Sequence, residues 1–280
     1  LLGEIDIAVA IGMVVSSYAF GIVTTITESV LLGFVAAVFM GALYGLINGL
    51  LIARFKLSSF IVTLATKNII RGLLLVYFGG GAFILNDPRF EGSIQKVMNM
   101  LSMGTLNLPS SQRFLSVGKI GGISVSIYIF VVMFLIIALI SRNTNWGRNI
   151  YAVGGNKRAA VVAGISVTRV VTMAYIVCGI CCGIGGVLYL CQVGQLQAAA
   201  ANGYEMRMIA ACAIGGTSMS GGRGSGFSPF VGAILMGIIL NATAVMAIPG
   251  TMQDMFLGAI ILVAVVFDIV RRKVVDKIYV

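Results

Sequence analysis

Residues 29–53 read SVLLGFVAAVFMGALYGLINGLLIA, without a single charge, and run directly into Arg54-Phe55-Lys56. Wound as an α-helix, a stretch of about 20 such residues crosses the hydrocarbon core of a bilayer. Gly41, Gly45 and Gly49 fall four apart, on one face of that helix. In lipid a face of this kind lets a second backbone come close, within the bundle or at a subunit interface. The basic cluster at the end marks a membrane boundary.

The pattern recurs along the chain. Hydrophobic residues make up 59% of the 280 and charged residues only 10%, with a mean hydropathy of +1.05. A soluble domain carries about a quarter charged residues, so this composition requires lipid as solvent. The 36 glycines fit helices that pack closely in a membrane. Further apolar runs cover residues 5–25, 59–79, 123–141, 170–191, 229–247 and 252–270, with a half-length run at 208–214. No signal peptide precedes Leu1, and the sequence reads as one that begins inside a membrane segment. The fold class expected is all-α, a polytopic membrane helix bundle of about eight or nine segments with broken or re-entrant helices.

The net charge of +10 belongs to the loops rather than to a nucleic-acid face. Arg54 and Lys56, the five basic residues Arg142, Arg148, Lys157, Arg158 and Arg169, and the tail residues Arg271, Arg272, Lys273 and Lys277 make up more than half of the 19 lysines and arginines. All three groups fall on one side if the runs alternate, and that side is cytoplasmic. The segment 80–122, with Pro88 and Pro109 and mixed charge, is then an extracytoplasmic loop, with one short helix expected around Val97–Met103.

Four places break the apolar pattern. Glu4 and Asp6 stand at the head of a spanning run, where a carboxylate must face a cavity, find a partner or lie at an interface. Lys67 and Arg71 share a face of the third run, next to Asn68, to pair with an acid or to snorkel. Glu205 and Arg207 follow Gly203-Tyr204. Residues 215–224, GGTSMSGGRG, are a glycine- and hydroxyl-rich break, and non-helical backbone at membrane depth survives only where protein or a wet cavity satisfies it.

Several functions are excluded or disfavoured. No G-x-x-x-x-G-K-[ST] loop is present, so the chain is not expected to bind ATP itself. There is no histidine, no H-E-x-x-H and no G-x-S-x-G, and Asp6, Asp254 and Asp268 do not form an intramembrane protease motif. Cys178 and Cys181 have CxxC spacing, but with Cys182 and Cys191 they lie in one apolar run and read as small helix residues. No catalytic residue and no metal site is expected. Gly179 and Gly183 repeat the four-residue glycine spacing in the same run.

Four stretches resemble the permeases of ribose-type ABC importers, which carry monosaccharides into bacteria. They are Gly3-Glu4-Ile5-Asp6-Ile7; Phe60-Ile61-Val62-Thr63-Leu64 with Arg71-Gly72; Gly147-Arg148-Asn149-Ile150-Tyr151-Ala152-Val153-Gly154-Gly155-Asn156 with Ala159-Ala160 and Gly164-Ile165; and Gly203-Tyr204-Glu205 with Ile214-Gly215-Gly216-Thr217-Ser218 and Gly221-Gly222. Ala8, Ala10 and Ala163 depart from the usual Ser, Gly and Ser, and the 80–122 loop looks longer than usual.

The resemblance implies a single transmembrane permease domain over 1–280, lacking the first helix of a family with about ten membrane segments. It implies a multi-pass location in the bacterial inner membrane, and no cofactor on this chain, with ATP and Mg on a partner ATPase. Partners implied are that ATPase, a substrate-binding protein and a second permease copy, identical or paralogous. The loop 142–169 would couple to the ATPase through Arg148, Gly154, Gly155, Asn156, Lys157, Arg158, Ala159, Ala160 and Gly164, with Asn156 capping a short helix. Glu4, Asp6, Asn68, Glu205, Thr217, Ser218 and Asn241 are the candidates for the pathway or gate. The alternatives are a permease for a nucleoside, a furanose-like signal or a branched-chain amino acid, and an ATP-independent channel or secondary transporter.

Overall fold

In a computed structural model the chain is described over residues 1–78, 105–107, 113–197 and 199–249, and at scattered positions from 252 to 266. The expected helix near Val97–Met103, most of the 252–270 run and the basic tail lie outside the described residues. The described chain is almost wholly helical. In order it forms α1 (Val9–Thr27), α2 (Val30–Phe55), α3 (Ser59–Phe78), β1 (Thr105–Asn107), α4 (Phe114–Val117), β2 (Lys119–Ile120), β3 (Ile123–Ser124), α5 (Val125–Asn143), α6 (Asn145–Gly155), α7 (Lys157–Val162), α8 (Val167–Val193), β4 (Gln195–Gln197), α9 (Tyr204–Ile214) and α10 (Phe227–Val245). Among the described residues six helices, α1, α2, α3, α5, α8 and α10, are long and apolar enough to cross a membrane. The protein is therefore a polytopic helical membrane protein.

The chain divides into two compact units. The first comprises Asp6–Val132 and Thr168–Asn202. In it α1 and α2 form a tight hairpin: Glu28 caps α1 in the left-handed region, and the Ser29 side chain caps α2 by accepting from the Leu32 N–H. α2 and α8 pack through glycine. A Cβ on Gly41 would stand 2.1 Å from the Gly179 carbonyl oxygen, one on Gly179 equally close to that of Gly41, and one on Gly45 2.1 Å from that of Tyr175. The glycine stripe thus lies inside the bundle, where it allows helix backbones to touch. Polar groups on these helices are spent locally: Ser17 Oγ lies 2.8 Å from the Gly186 carbonyl oxygen and 2.9 Å from that of Met13. The opposite face of α2, with Leu31, Val35 and Phe39, is exposed, as suits lipid.

The first helix starts later than its hydropathy suggests. The apolar run begins at Ile5, yet residues 1–8 are not helical, and Asp6 Oδ1 accepts from the Ala8 N–H at 2.8 Å. A short carboxylate bonding two residues on competes with helix and fixes a turn. Beyond α8, β4 pairs antiparallel with β1, Leu106 opposite Leu196, so a piece of the 80–122 loop is tied to the end of α8. Arg113 holds the same helix end, donating to the carbonyl oxygens of Cys191 (2.8 Å) and Gln192 (2.6 Å). These carbonyls have no partner within a helix, and a guanidinium suits them.

The second unit comprises Leu1–Ile5, Met133–Val167 and Gly203–Val280. Its centre is the pair α9 and α10, packed with almost no side chain between them. A Cβ on Gly232 would stand 1.7 Å from the Ala211 carbonyl oxygen, and one on Gly215 1.8 Å from that of Ser228. Phe134 of α5 stacks on Phe230 at 4.3 Å between ring centroids and meets Phe227 edge-on at 5.2 Å. α9 has only 11 residues, about 16 Å of rise, and cannot span a bilayer alone. The helix–break–helix reading of 204–245 is what the structure contains.

Candidate functional site

Two groups of residues stand out, one in each unit. The group in the second unit is built around the loop between α5 and α8. Thr144 caps α6, its Oγ1 accepting from the Gly147 N–H at 3.0 Å. Asn156 then ends α6 and starts α7 by itself. Its backbone N–H donates to the Ala152 carbonyl at 3.1 Å, and its side-chain Oδ1 accepts from the Ala159 N–H at 3.0 Å. Asn, Asp, Ser and Thr are the side chains short enough to do this from an extended backbone.

α7 closes on a Schellman turn: Gly164, at φ +80°, donates to Val161, and Ile165 donates to Ala160 at 2.9 Å. The result is a six-residue helix with Lys157, Arg158, Ala159, Val161 and Val162 exposed and Ala160 buried. Val161 and Val162 stand exposed side by side, Val162 at 89%. Arg148, exposed on α6, bonds to the Asn145 side chain.

Behind this loop three stretches of backbone meet. The Tyr151 hydroxyl donates to the Gly224 carbonyl at 3.1 Å. The Gly222 N–H donates to the Leu1 carbonyl at 2.8 Å. Lys157 Nζ lies 2.5 Å from Glu4 Oε1, with the carboxylate side chain only 14% exposed. The break itself is ordered by its own backbone. Gly216, at φ +87°, closes α9 with Thr217 donating to the Cys212 carbonyl at 3.0 Å, and Ser218 donates to Arg223 at 3.1 Å. Ser218 is buried, while Thr217 Oγ1 is buried without a hydrogen-bond partner among the described residues. Glu205 is buried in the first turn of α9, where the helix dipole favours a carboxylate. Arg207 lies over the Tyr204 ring at 4.9 Å.

The group in the first unit is a polar line between α1, α2 and α3. The Tyr44 hydroxyl donates to Asp6 Oδ1 at 3.2 Å. Thr63 Oγ1 accepts from the Ile7 N–H at 3.2 Å, and Thr66 Oγ1 donates to Asn48 Oδ1 at 2.8 Å. Asn48 is fully buried, and its Nδ2 has no partner among the described residues. Tyr44 and Asn48 are four apart on the glycine face of α2, and a polar residue recurring on a small-residue face was the signal that could have found them in the sequence.

Arg71 corrects an expectation. Among the described residues it donates not to an acid but to Asn202 Oδ1 at 2.5 Å and to the Ala200 carbonyl at 3.5 Å. Residues 199–202 are non-helical turn with Ala201 at φ +54°, and the guanidinium fork supplies donors to two of their oxygens. Of the expected pathway residues, Glu4, Glu205, Thr217 and Ser218 fall in the second unit, and Asp6 joins the polar line of the first. Asn68 and Asn241 are exposed on α3 and α10. Gly41, Gly45, Gly49, Gly179 and Gly183 are all at close helix contacts.

A multi-pass helical bundle with an interrupted helix and a capped basic loop is the architecture of a membrane permease. Residues 1–265 match the family described as branched-chain amino acid transport system / permease component, and the chain belongs to that family. It is 33% identical to the L-arabinose ABC transporter permease protein AraH of Azospirillum brasilense, over 97% of this chain and 74% of that protein. To the L-arabinose transport system permease protein AraH of Escherichia coli K12 it is 31% identical, over 97% of this chain and 76% of that one. To the ribose import permease protein RbsC of Bacillus subtilis it is 34% identical, over 81% of this chain and 63% of that one. No solved structure gives a significant match. The resemblance to sugar importer permeases read from the sequence therefore holds.

Proposed function

We propose that this chain is the membrane-spanning permease subunit of an ATP-driven importer for a monosaccharide, an aldopentose such as arabinose or ribose. The observation that carries the reading is the match, along nearly the whole chain, to permeases named for those sugars. The site chemistry agrees with it. A sugar is neutral and is handled by hydroxyls and amides, and Tyr44, Asn48, Thr63 and Thr66 are that kind of group. A zwitterionic amino acid would call for a free charge of each sign, whereas the Asp6 carboxylate already holds the Ala8 N–H and the Tyr44 hydroxyl.

The energy source is a separate ATPase chain that carries ATP and Mg. It docks on the loop 142–169, with the exposed α7 as the coupling helix: Arg158 meets acidic groups, and Val161 and Val162 enter an apolar groove. A binding protein delivers the sugar on the opposite face, toward the 80–122 loop. Two copies, or this chain and a paralogue, enclose the pathway in a bacterial cytoplasmic membrane. The test is reconstitution with the partner ATPase and binding protein in proteoliposomes. Uptake of labelled L-arabinose or ribose is expected only with all three components and ATP. Uptake by the chain alone, driven by an ion gradient, would overturn the reading.

A further inference from the structure

The three stretches behind the α6–α7 loop form a closed ring. α6 is bonded to the break through Tyr151 and Gly224, the break to the leading segment through Gly222 and Leu1, and the leading segment to α7 through Glu4 and Lys157. The ring is filled by backbone. A Cβ on Gly154 would meet the Leu1 carbonyl oxygen at 2.1 Å and the Gly222 nitrogen at 2.8 Å. One on Gly221 would meet the Gly154 carbonyl oxygen at 2.7 Å, one on Gly222 the Gly155 Cα at 2.6 Å, and one on Gly3 the Ser220 carbonyl oxygen at 2.8 Å. Side chains absorb displacement by changing rotamer, whereas backbone in direct contact has no such slack.

We propose that this ring is the transmission of the importer: a displacement of α6–α7 is delivered to the break at 215–226 and to the segment leading into α1 at once, as one rigid piece, with Glu4 and Lys157 as positioning residues. The proposal rests on the permease reading. Its logic is chemical as well as geometric. The bond between Glu4 and Lys157 joins the first residue of α7 to a chain that reaches Asp6 two residues later, and Asp6 shapes the start of α1. Lys157 is more than half exposed, while the Glu4 side chain is only 14% exposed, so water screens the pair from one side only. What it fixes is which segment follows the helix when the helix moves.

The experiment uses the full complex of this chain with its ATPase and binding protein, in proteoliposomes supplied with labelled L-arabinose or ribose. Glu4→Lys and Lys157→Glu are each expected to lower the sugar moved per ATP about fivefold, the scale of a half-exposed pair turned repulsive. With Glu4→Lys the ATPase should still co-purify and hydrolyse ATP. The double exchange Glu4→Lys with Lys157→Glu is expected to restore the ratio to within about twofold. If Glu4→Lys fails to fold, Glu4→Gln replaces it, with about a twofold loss expected. Single variants that keep the original ratio, or a double exchange as poor as the worse single, would overturn the proposal. Failure of the unsubstituted chain to bind the ATPase would overturn the permease reading itself, and this proposal with it.

Discussion

The glycines of the α2–α8 seam and those of the ring solve different problems with the same residue. At Gly41, Gly45 and Gly179 the backbone is ordinary helix, and glycine is needed only for what it lacks. At Gly221 and Gly222 the backbone sits at φ +85° and +73°, and glycine is needed for its conformation as well as for close approach. The seam joins regular helices along their length, a joint that resists bending. The ring joins a helical loop and two irregular stretches at points, a joint that carries force without fixing the helices beyond it. The difference teaches that glycine spacing alone does not report role; the conformation around each glycine does.

This contrast can be broken at the seam first. Gly45→Val drives a branched side chain into the Tyr175 carbonyl, and about 3 kcal/mol of destabilisation is expected, read as loss of monodisperse protein in detergent. Gly154→Ala comes next, at about 2 kcal/mol, because its Cβ meets the Leu1 carbonyl; it should also lower uptake per ATP, which no seam variant that still folds should do. Thr66→Val leaves the buried Asn48 amide with no donor at its oxygen and is expected to cost about 1–2 kcal/mol in thermal unfolding, a loss that Thr66→Ser should largely avoid. Asn156→Ala removes the α7 cap for about 1 kcal/mol, and Asn156→Asp should recover most of it. The smallest effect sharpens the comparison most. Gly155→Ala, beside Gly154, has nothing nearer to its Cβ than 4.0 Å and should change stability by less than about 0.5 kcal/mol.

Much of this molecule was legible in its sequence because lipid makes hydropathy nearly sufficient. The six described spans, the half-length α9 and the break after it follow from runs and punctuation, and the Asn156 cap from the family resemblance. Three features did not follow, each for a physical reason. The start of α1 moved because Asp6 bonds to Ala8, a local competition that a window average cannot see. The partners of Arg71 were misjudged because charge suggests charge, while the groups in need of donors were the carbonyls of a distant non-helical segment. The line of Tyr44, Asn48, Thr63 and Thr66 was missed because single hydroxyls and amides scattered through three apolar runs gather only when those runs pack.

Asn156 has one more consequence, in phase rather than in energy. It is the whole linker between α6 and α7, so the rotational setting of the second helix is fixed by the end of the first. A helix turns about 100° per residue. One residue inserted after Asn156 would carry Val161 and Val162 a quarter-turn or more out of register and would part the cap from Ala159. Lineages that share this loop should therefore vary its exposed positions more readily than its length, as a key tolerates a change of metal but not of the spacing of its cuts.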